Sequence, residues 1–212
     1  MIPERMQKDT CVIVGAGDCD PASLPSGRDR YYYIAADAGI RHLQAAGITP
    51  DLFIGDLDSL GAPPGSVRTK ILPVIKDLTD TAAACEEGLR MGFRKFELYG
   101  ALGGRRFSHS FANVQLLLNL KKRQAEGVIR DAACTLCILS SGETRTLEPC
   151  RFFSLLSLTG DAEVSIRHAL YELDRGTLTY DFPLGVSNEP RGIPEITVHS
   201  GDVLLVTETA SG

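Results

Sequence analysis

The sequence predicts an α/β chain in two parts: an N-terminal parallel-sheet, three-layer domain and then a C-terminal all-β sandwich domain. Three observations carry this. Through about Gly127, short apolar runs alternate with helical periodicities, and strands alternating with helices imply a parallel sheet covered on both faces. From Leu136 onward helical spacing disappears and short strand-like runs are separated by turn residues, the mark of a small sandwich. Acidic or glycine-rich segments recur directly after the strands of the first part, and ligands bind outside the carboxyl ends of strands in open α/β sheets. The expected division is 1–128 and 129–212, with a short polar junction near Glu126 to Asp131.

The elements follow in order. Cys11 to Gly15, Tyr31 to Ala35 and Leu52 to Ile54 read as buried strands, the last ending at Gly55. Ile40 to Ala46 has helical spacing, and Gly47 stops it as a glycine just past a helix does. Ile71 to Ile75 reads as a further short strand. Thr79 is placed to cap a helix through about Met91, with Gly92 ending it. Lys95 to Tyr99 is strand-like, and Ser108 to Lys122 is a strong helix with Phe111, Val114, Gln115 and Leu118 on one face. In the second part, strands are expected at Cys134 to Leu139, Phe152 to Leu158, Glu163 to Ile166, Thr177 to Tyr180, Glu195 to His199 and Asp202 to Thr207. Thr159-Gly160-Asp161, Asp174-Arg175-Gly176 and Ser200-Gly201-Asp202 read as turns.

Composition narrows the function classes. A formal net charge of -5 argues against nucleic acid as a bulk partner, because phosphate binding on that scale needs a basic excess. It leaves room for a small phosphorylated ligand. No apolar run approaches the roughly 20 residues of a membrane span, and Met1 to Cys11 has no signal-peptide pattern, so a cytoplasmic protein with no membrane partner is expected. Cys134 and Cys137 form a single Cys-x-x-Cys inside a strand-like run. Residues three apart on a strand face opposite ways, so the pair is a poor chelate, and the six cysteines read as free thiols.

The chemistry concentrates at strand ends. Asp56 and Asp58, in Gly55-Asp56-Leu57-Asp58-Ser59, follow a strand at once. Residues two apart in an extended segment face the same way, so both carboxylates can meet one cation. Mg²⁺ takes one or two carboxylates plus substrate phosphates. Asp37 and Asp80 each follow another strand, and each reads alone as a helix N-cap or a first-turn acid. Three strand ends thus deliver acids to one side of the sheet, which is unfavourable unless a cation offsets it. Gly100-Ala101-Leu102-Gly103-Gly104-Arg105-Arg106 is a glycine-rich turn between strand and helix, suited to close approach by phosphate, with two arginines for charge-assisted contacts. His109 and Asn113 lie one turn apart on the next helix.

In this order the motifs resemble the thiamine pyrophosphokinase family. They are Ala36-Asp37-Ala38-Gly39, Pro50-Asp51 through Asp58-Ser59, Lys76-Asp77-Leu78-Thr79-Asp80-Thr81, Gly100 to Gly104 with His109 and Asn113, and the late Gly185-Val186-Ser187-Asn188-Glu189. The resemblance spans nearly the whole chain. It implies an α/β ATP-binding catalytic domain, a β-sandwich thiamine-binding domain, and a homodimer with composite sites that makes thiamine diphosphate and AMP from thiamine and ATP. Asp56, Asp58 and Asp80 then correspond to the Mg²⁺ and catalytic site. Asp37, Gly103, Gly104, Arg105, His109 and Asn113 correspond to the ATP site, and Ser187 and Asn188 to the thiamine site. The chain departs from the family pattern by Ala38 in place of glycine, one extra residue after Arg105, and Ser108 where an aspartate is usual. Two alternatives remain open: a pyrophosphokinase for another alcohol such as a hydroxymethylpterin, and a nucleotide or thiamine diphosphate sensor without turnover.

Overall fold

A computed structural model describes residues 8–56, 65, 67–72 and 78–209. The chain divides into two compact units, Met1–Ala132 and Ala133–Gly212. In the first, β1 (Thr10–Val14), β2 (Tyr31–Ala36), β3 (Leu52–Gly55), β4 (Thr69–Ile71), β5 (Lys95–Tyr99) and β6 (Glu126–Arg130) run parallel. Their order is β4-β3-β2-β1-β5-β6. Every residue of β1 is buried, as expected of a parallel strand covered on both faces. Val12 and Val14 pack with Ile40 and Leu43 of α1 (Ile40–Ala45) on one face. On the other face α2 (Asp80–Arg90) brings Gly88 against Phe96 and the Cys11 sulfur. Helix α3 (Phe107–Lys122) joins α2 there, setting Leu117 and Leu120 over Gly127 of β6. The helices stop where the sequence says. Thr79 accepts from the Ala82 N–H at 3.1 Å, and Gly47 donates to the Gln44 carbonyl at 3.0 Å.

Several elements differ from expectation. The stretch Glu126 to Asp131, read as a junction, contains β6. The strand expected at Ile71 to Ile75 occupies Thr69–Ile71, and residues 73–75 lie outside the described residues. On α3 the buried stripe is Asn113, Leu117 and Leu120, whereas Phe111 is 51% exposed. This helix carries apolar residues on most of its circumference, so periodicity alone did not pick the face. The missing side chain at Gly127 makes room for Leu117 and Leu120 and decides it.

The second unit is all β among the described residues. Strands β7 (Cys134–Ser140), β13 (Asp202–Glu208) and β9 (Phe152–Ser157) form an antiparallel sheet with β13 central. Strands β11 (Leu173–Leu178), β10 (Ala162–Ala169), β12 (Pro190–Ser200) and β8 (Thr144–Thr146) form a second. Both sheets feed one core, with Leu139, Phe153 and Val203 from the first and Val164, Ile166 and Ile196 from the second. That is a sandwich. Asp174-Arg175-Gly176, read as a turn, lies inside β11, so the strand precedes the expected Thr177 to Tyr180. Its turn chemistry is absorbed by an irregularity in the β10–β11 pairing, where Arg175 takes a φ of 54°, as bulges allow. The short β8 was not anticipated.

Candidate active site

The first sheet changes direction between β1 and β5: the chain winds outward from β1 to β4, then returns to place β5 on the other side of β1. Such a switch point opens a crevice beyond the strand ends. Here the loops that leave β1 and β5 are laced together. Gly15 N–H donates to the Tyr99 carbonyl at 2.8 Å, Gly17 N–H to the Gly100 carbonyl at 2.8 Å, and Asp18 N–H to the Leu102 carbonyl at 3.0 Å. The approach is close enough that a Cβ on Gly17 would stand 2.3 Å from the Leu102 oxygen. His42 of α1 braces the same loop from behind, its Nε2 donating to the Gly17 carbonyl at 3.0 Å.

A cleft of about 450 Å³ lies at this point, within the range of small-ligand sites. Asp37, Asp56 and Asp80 line it, one from the end of β2, one from the end of β3 and one from the first turn of α2. Gly103, Gly104, Arg105, His109 and Asn113 also line it. The structure therefore gathers, in one cavity of the first unit, every ATP-site residue expected from sequence and two of the three expected metal ligands. The third, Asp58, lies outside the described residues, as do Lys76 and Asp77.

The geometry revises several roles. Asp37 does not stand at an N-cap position, which Ala36 occupies. It opens a 3-10 turn, Asp37–Gly39, with a left-handed φ of 51°, a conformation that costs a non-glycine residue and persists where surroundings enforce it. The neighbouring strand does so: the position of a Cβ on Gly55 lies 3.3 Å from the Asp37 Cα, so the Asp37 turn and the Gly55-Asp56 strand end abut. Asn113 is buried, and its Nδ2 donates to the Ala101 carbonyl at 2.7 Å, so its amide holds the glycine loop to α3. Arg106 Nη1 lies 3.0 Å from His109 Nε2. Because arginine only donates, that nitrogen accepts in this pairing. Ser108 is exposed, while Ser110, two residues on, lines the cleft and reaches the Gly103 carbonyl at 3.3 Å.

Sequence reading missed the loop after β1. Ala16 and Gly17 line the cleft, as does Thr81, and Asp18 Oδ2 accepts from the Gly104 N–H at 3.2 Å. Gly15-Ala16-Gly17-Asp18 follows a strand and is glycine-rich, the criterion that had singled out Gly100 to Gly104. Cys19, next along, has its thiol pushed up by burial and then by Asp20, which disfavours the reactive thiolate.

Which residues would suit a metal follows from donor chemistry. Aspartate oxygens fit a hard cation such as Mg²⁺, and Asp37, Asp56 and Asp80 line the cleft. Among the described residues, no three His, Cys, Asp or Glu side chains stand together closely enough to hold an ion by themselves.

In the second unit, Ser187 is exposed, with a φ of 58°, and its N–H donates to Ser154 Oγ at 3.0 Å. Asn188 is buried and makes three side-chain hydrogen bonds. Its Oδ1 accepts from the Tyr171 N–H at 3.0 Å and the Glu189 N–H at 2.9 Å, and its Nδ2 donates to the Tyr171 carbonyl at 2.8 Å.

Comparison with known proteins agrees with the fold. Residues 28–129 match the family model for the thiamin pyrophosphokinase catalytic domain. The solved structure of thiamine pyrophosphokinase from Bacillus subtilis superposes with a TM-score of 0.84 at 22% identity, covering 95% of this chain and 100% of that one. The thiamin pyrophosphokinase of Geobacillus thermodenitrificans gives 0.81 at 24%, covering 96% and 99%. The yeast thiamin pyrophosphokinase gives 0.77 at 14%, covering 98% and 89%. No curated protein sequence matches the chain.

Proposed function

We propose that this chain, which through residues 28–129 belongs to the thiamin pyrophosphokinase family, transfers the β,γ-diphosphate of ATP to the hydroxyl of thiamine, releasing AMP. The observation that carries the reading is the cleft at the sheet's switch point, where Asp37, Asp56 and Asp80 share a cavity with Arg105 and the glycine loop. Acids and an arginine lining one cavity suit a polyphosphate that arrives with a divalent cation. An enzyme without such a cation would not be expected to place three carboxylates where a polyanion binds.

The chemistry is an in-line displacement. The thiamine hydroxyl oxygen forms a bond to the β-phosphorus, and the bond from that phosphorus to the bridging oxygen of the α-phosphate breaks. AMP leaves with that oxygen, and the hydroxyl proton passes to whichever of Asp37 and Asp80 is not engaged by metal. Positioning and charge neutralisation supply most of the rate in such transfers. Asp56, Asp58 and Asp80 would hold Mg²⁺, which when bound neutralises charge developing on the phosphates. Arg105 steadies the polyphosphate by charge-assisted hydrogen bonds. Asn113 keeps the loop in place, since its amide is already committed to Ala101.

Thiamine is assigned to the second unit, at the exposed Ser187. Asn188 serves there as a brace beside Ser187, because its Oδ1 and one Nδ2 N–H are committed to Tyr171 and Glu189. The working form is a cytoplasmic homodimer in which that unit completes a site. Among the described residues, no helix is long and apolar enough to cross a membrane. The test is incubation with ATP, Mg²⁺ and either thiamine or a hydroxymethylpterin, followed by chromatography. Thiamine diphosphate with AMP supports the reading, and product from the pterin alone contradicts it. Full activity from a monomer at nanomolar concentration would contradict the dimer.

A further inference from the structure

We infer that Asp18 is a positioning residue for this site: its carboxylate sets the glycine loop that presents Arg105 and Arg106 to the nucleotide. The inference rests on the pyrophosphokinase reading for its kinetic consequence, though not for its structural one. Asp18 lies on the loop after β1, 86 residues from its partner, and its Oδ2 accepts from the Gly104 N–H at 3.2 Å. That bond closes the lacing between the two loops, whose other three rungs are backbone to backbone. The fourth rung depends on a side chain and sits immediately before the two arginines.

The loop is shaped around that carboxylate. Gly103 and Gly104 are consecutive left-handed residues, with φ of 71° and 73°. A Cβ on Gly103 would stand 2.1 Å from Asp18 Oδ2, so glycine there admits the carboxylate as well as the turn. Consecutive left-handed or turn residues expose N–H groups that attract an anion. Here a built-in anion takes the Gly104 N–H, which withdraws that donor from an incoming phosphate and leaves recognition to Arg105, Arg106 and the remaining wall. Ser110 holds the neighbouring Gly103 carbonyl, so the turn is fixed from both sides. Asp18 touches the cleft through the loop and therefore acts on nucleotide binding, not on the reacting atoms.

Two variants separate this from a surface aspartate with no such role. Asp18→Ala deletes the carboxylate but keeps the Asp18 N–H rung to Leu102, so the fold survives. Asp18→Asn keeps an acceptor for Gly104. In Asp18→Ala we expect faster amide hydrogen exchange over residues 100–106 and a KM for ATP raised about tenfold, roughly the worth of one hydrogen bond. The KM for thiamine should be unchanged, and Asp18→Asn should recover most of both effects. Unchanged exchange in Asp18→Ala overturns the inference, and so does an equal rise in both KM values. Failure of Asp18→Asn to recover either effect overturns it too. If the wild-type protein makes no AMP, the functional reading fails separately, and the exchange result alone decides the role of Asp18.

Discussion

Asn113 and Ala101 are joined by a buried hydrogen bond of 2.7 Å, from the side-chain amide of α3 to a carbonyl of the loop after β5. It is the point at which the helix that carries His109 and the loop that carries Arg105 are held as one wall of the cleft. Replacing Asn113 with Ala leaves the Ala101 carbonyl buried without that donor, which costs about 1–3 kcal/mol. Urea unfolding should register the loss, and the KM for ATP should rise. Asn113→Asp sets an acceptor against an acceptor and should be worse on both counts. An Asn113→Ala protein with unchanged stability would refute the role.

Asp56 and Asp80 come from different elements and line one cleft. Neither belongs to the apolar core, so Asp56→Asn and Asp80→Asn should abolish turnover while thermal unfolding stays close to wild type. Asp58→Asn should behave alike. Wild-type rates in any of the three would remove that residue from the metal site.

Ser187 and Asn188 are adjacent but should respond oppositely. Asn188 makes three side-chain hydrogen bonds in a buried setting, so Asn188→Ala should destabilise the protein by roughly 2–4 kcal/mol. Exposed Ser187→Ala should leave stability within about 0.5 kcal/mol and raise the KM for thiamine. Equal loss of stability in both would show that Ser187 is structural too.

Glu87 supplies a pH signature independent of the active site. It is 4% exposed and meets Arg90 Nη2 at 2.5 Å and Lys70 Nζ at 2.8 Å. The Arg90 hydrogen bonds first, then that of Lys70, hold its carboxyl at about 2, below the ordinary 4.5. A carboxyl lowered on folding stabilises above its unfolded value, and that stability is lost as pH falls from there through the folded value. Wild type should therefore exceed Glu87→Gln in stability by about 2–3 kcal/mol at neutral pH, and the gap should shrink below about pH 4. A gap that is constant with pH would contradict the pairing.

Much of the first unit was legible because its strands are uninterrupted apolar runs bounded by glycine or by a capping residue. Thr79 and Gly47 marked helix ends correctly. The cleft was legible because Asp37 and Asp56 follow strands directly and Asp80 opens a helix that Thr79 caps. What escaped was set by partners distant in sequence. The burial of Leu117 and Leu120 depends on Gly127 having no side chain. The role of Asp18 depends on Gly104, and that of His42 on Gly17. Asn188 could be placed in a motif, but only the Tyr171 backbone explains why its amide is occupied. Arg175-Gly176 reads as a turn locally, and pairing with β10 overrides it.

The central claim is that one displacement at the β-phosphorus moves two phosphates together. The most direct measurement is the fate of ATP labelled separately at its β- and γ-phosphates, incubated with Mg²⁺, thiamine and the wild-type protein. Both labels should appear in thiamine diphosphate, with unlabelled AMP formed in equal amount. Labelled ADP with thiamine monophosphate, or bound thiamine diphosphate with no label transferred at all, would contradict the account.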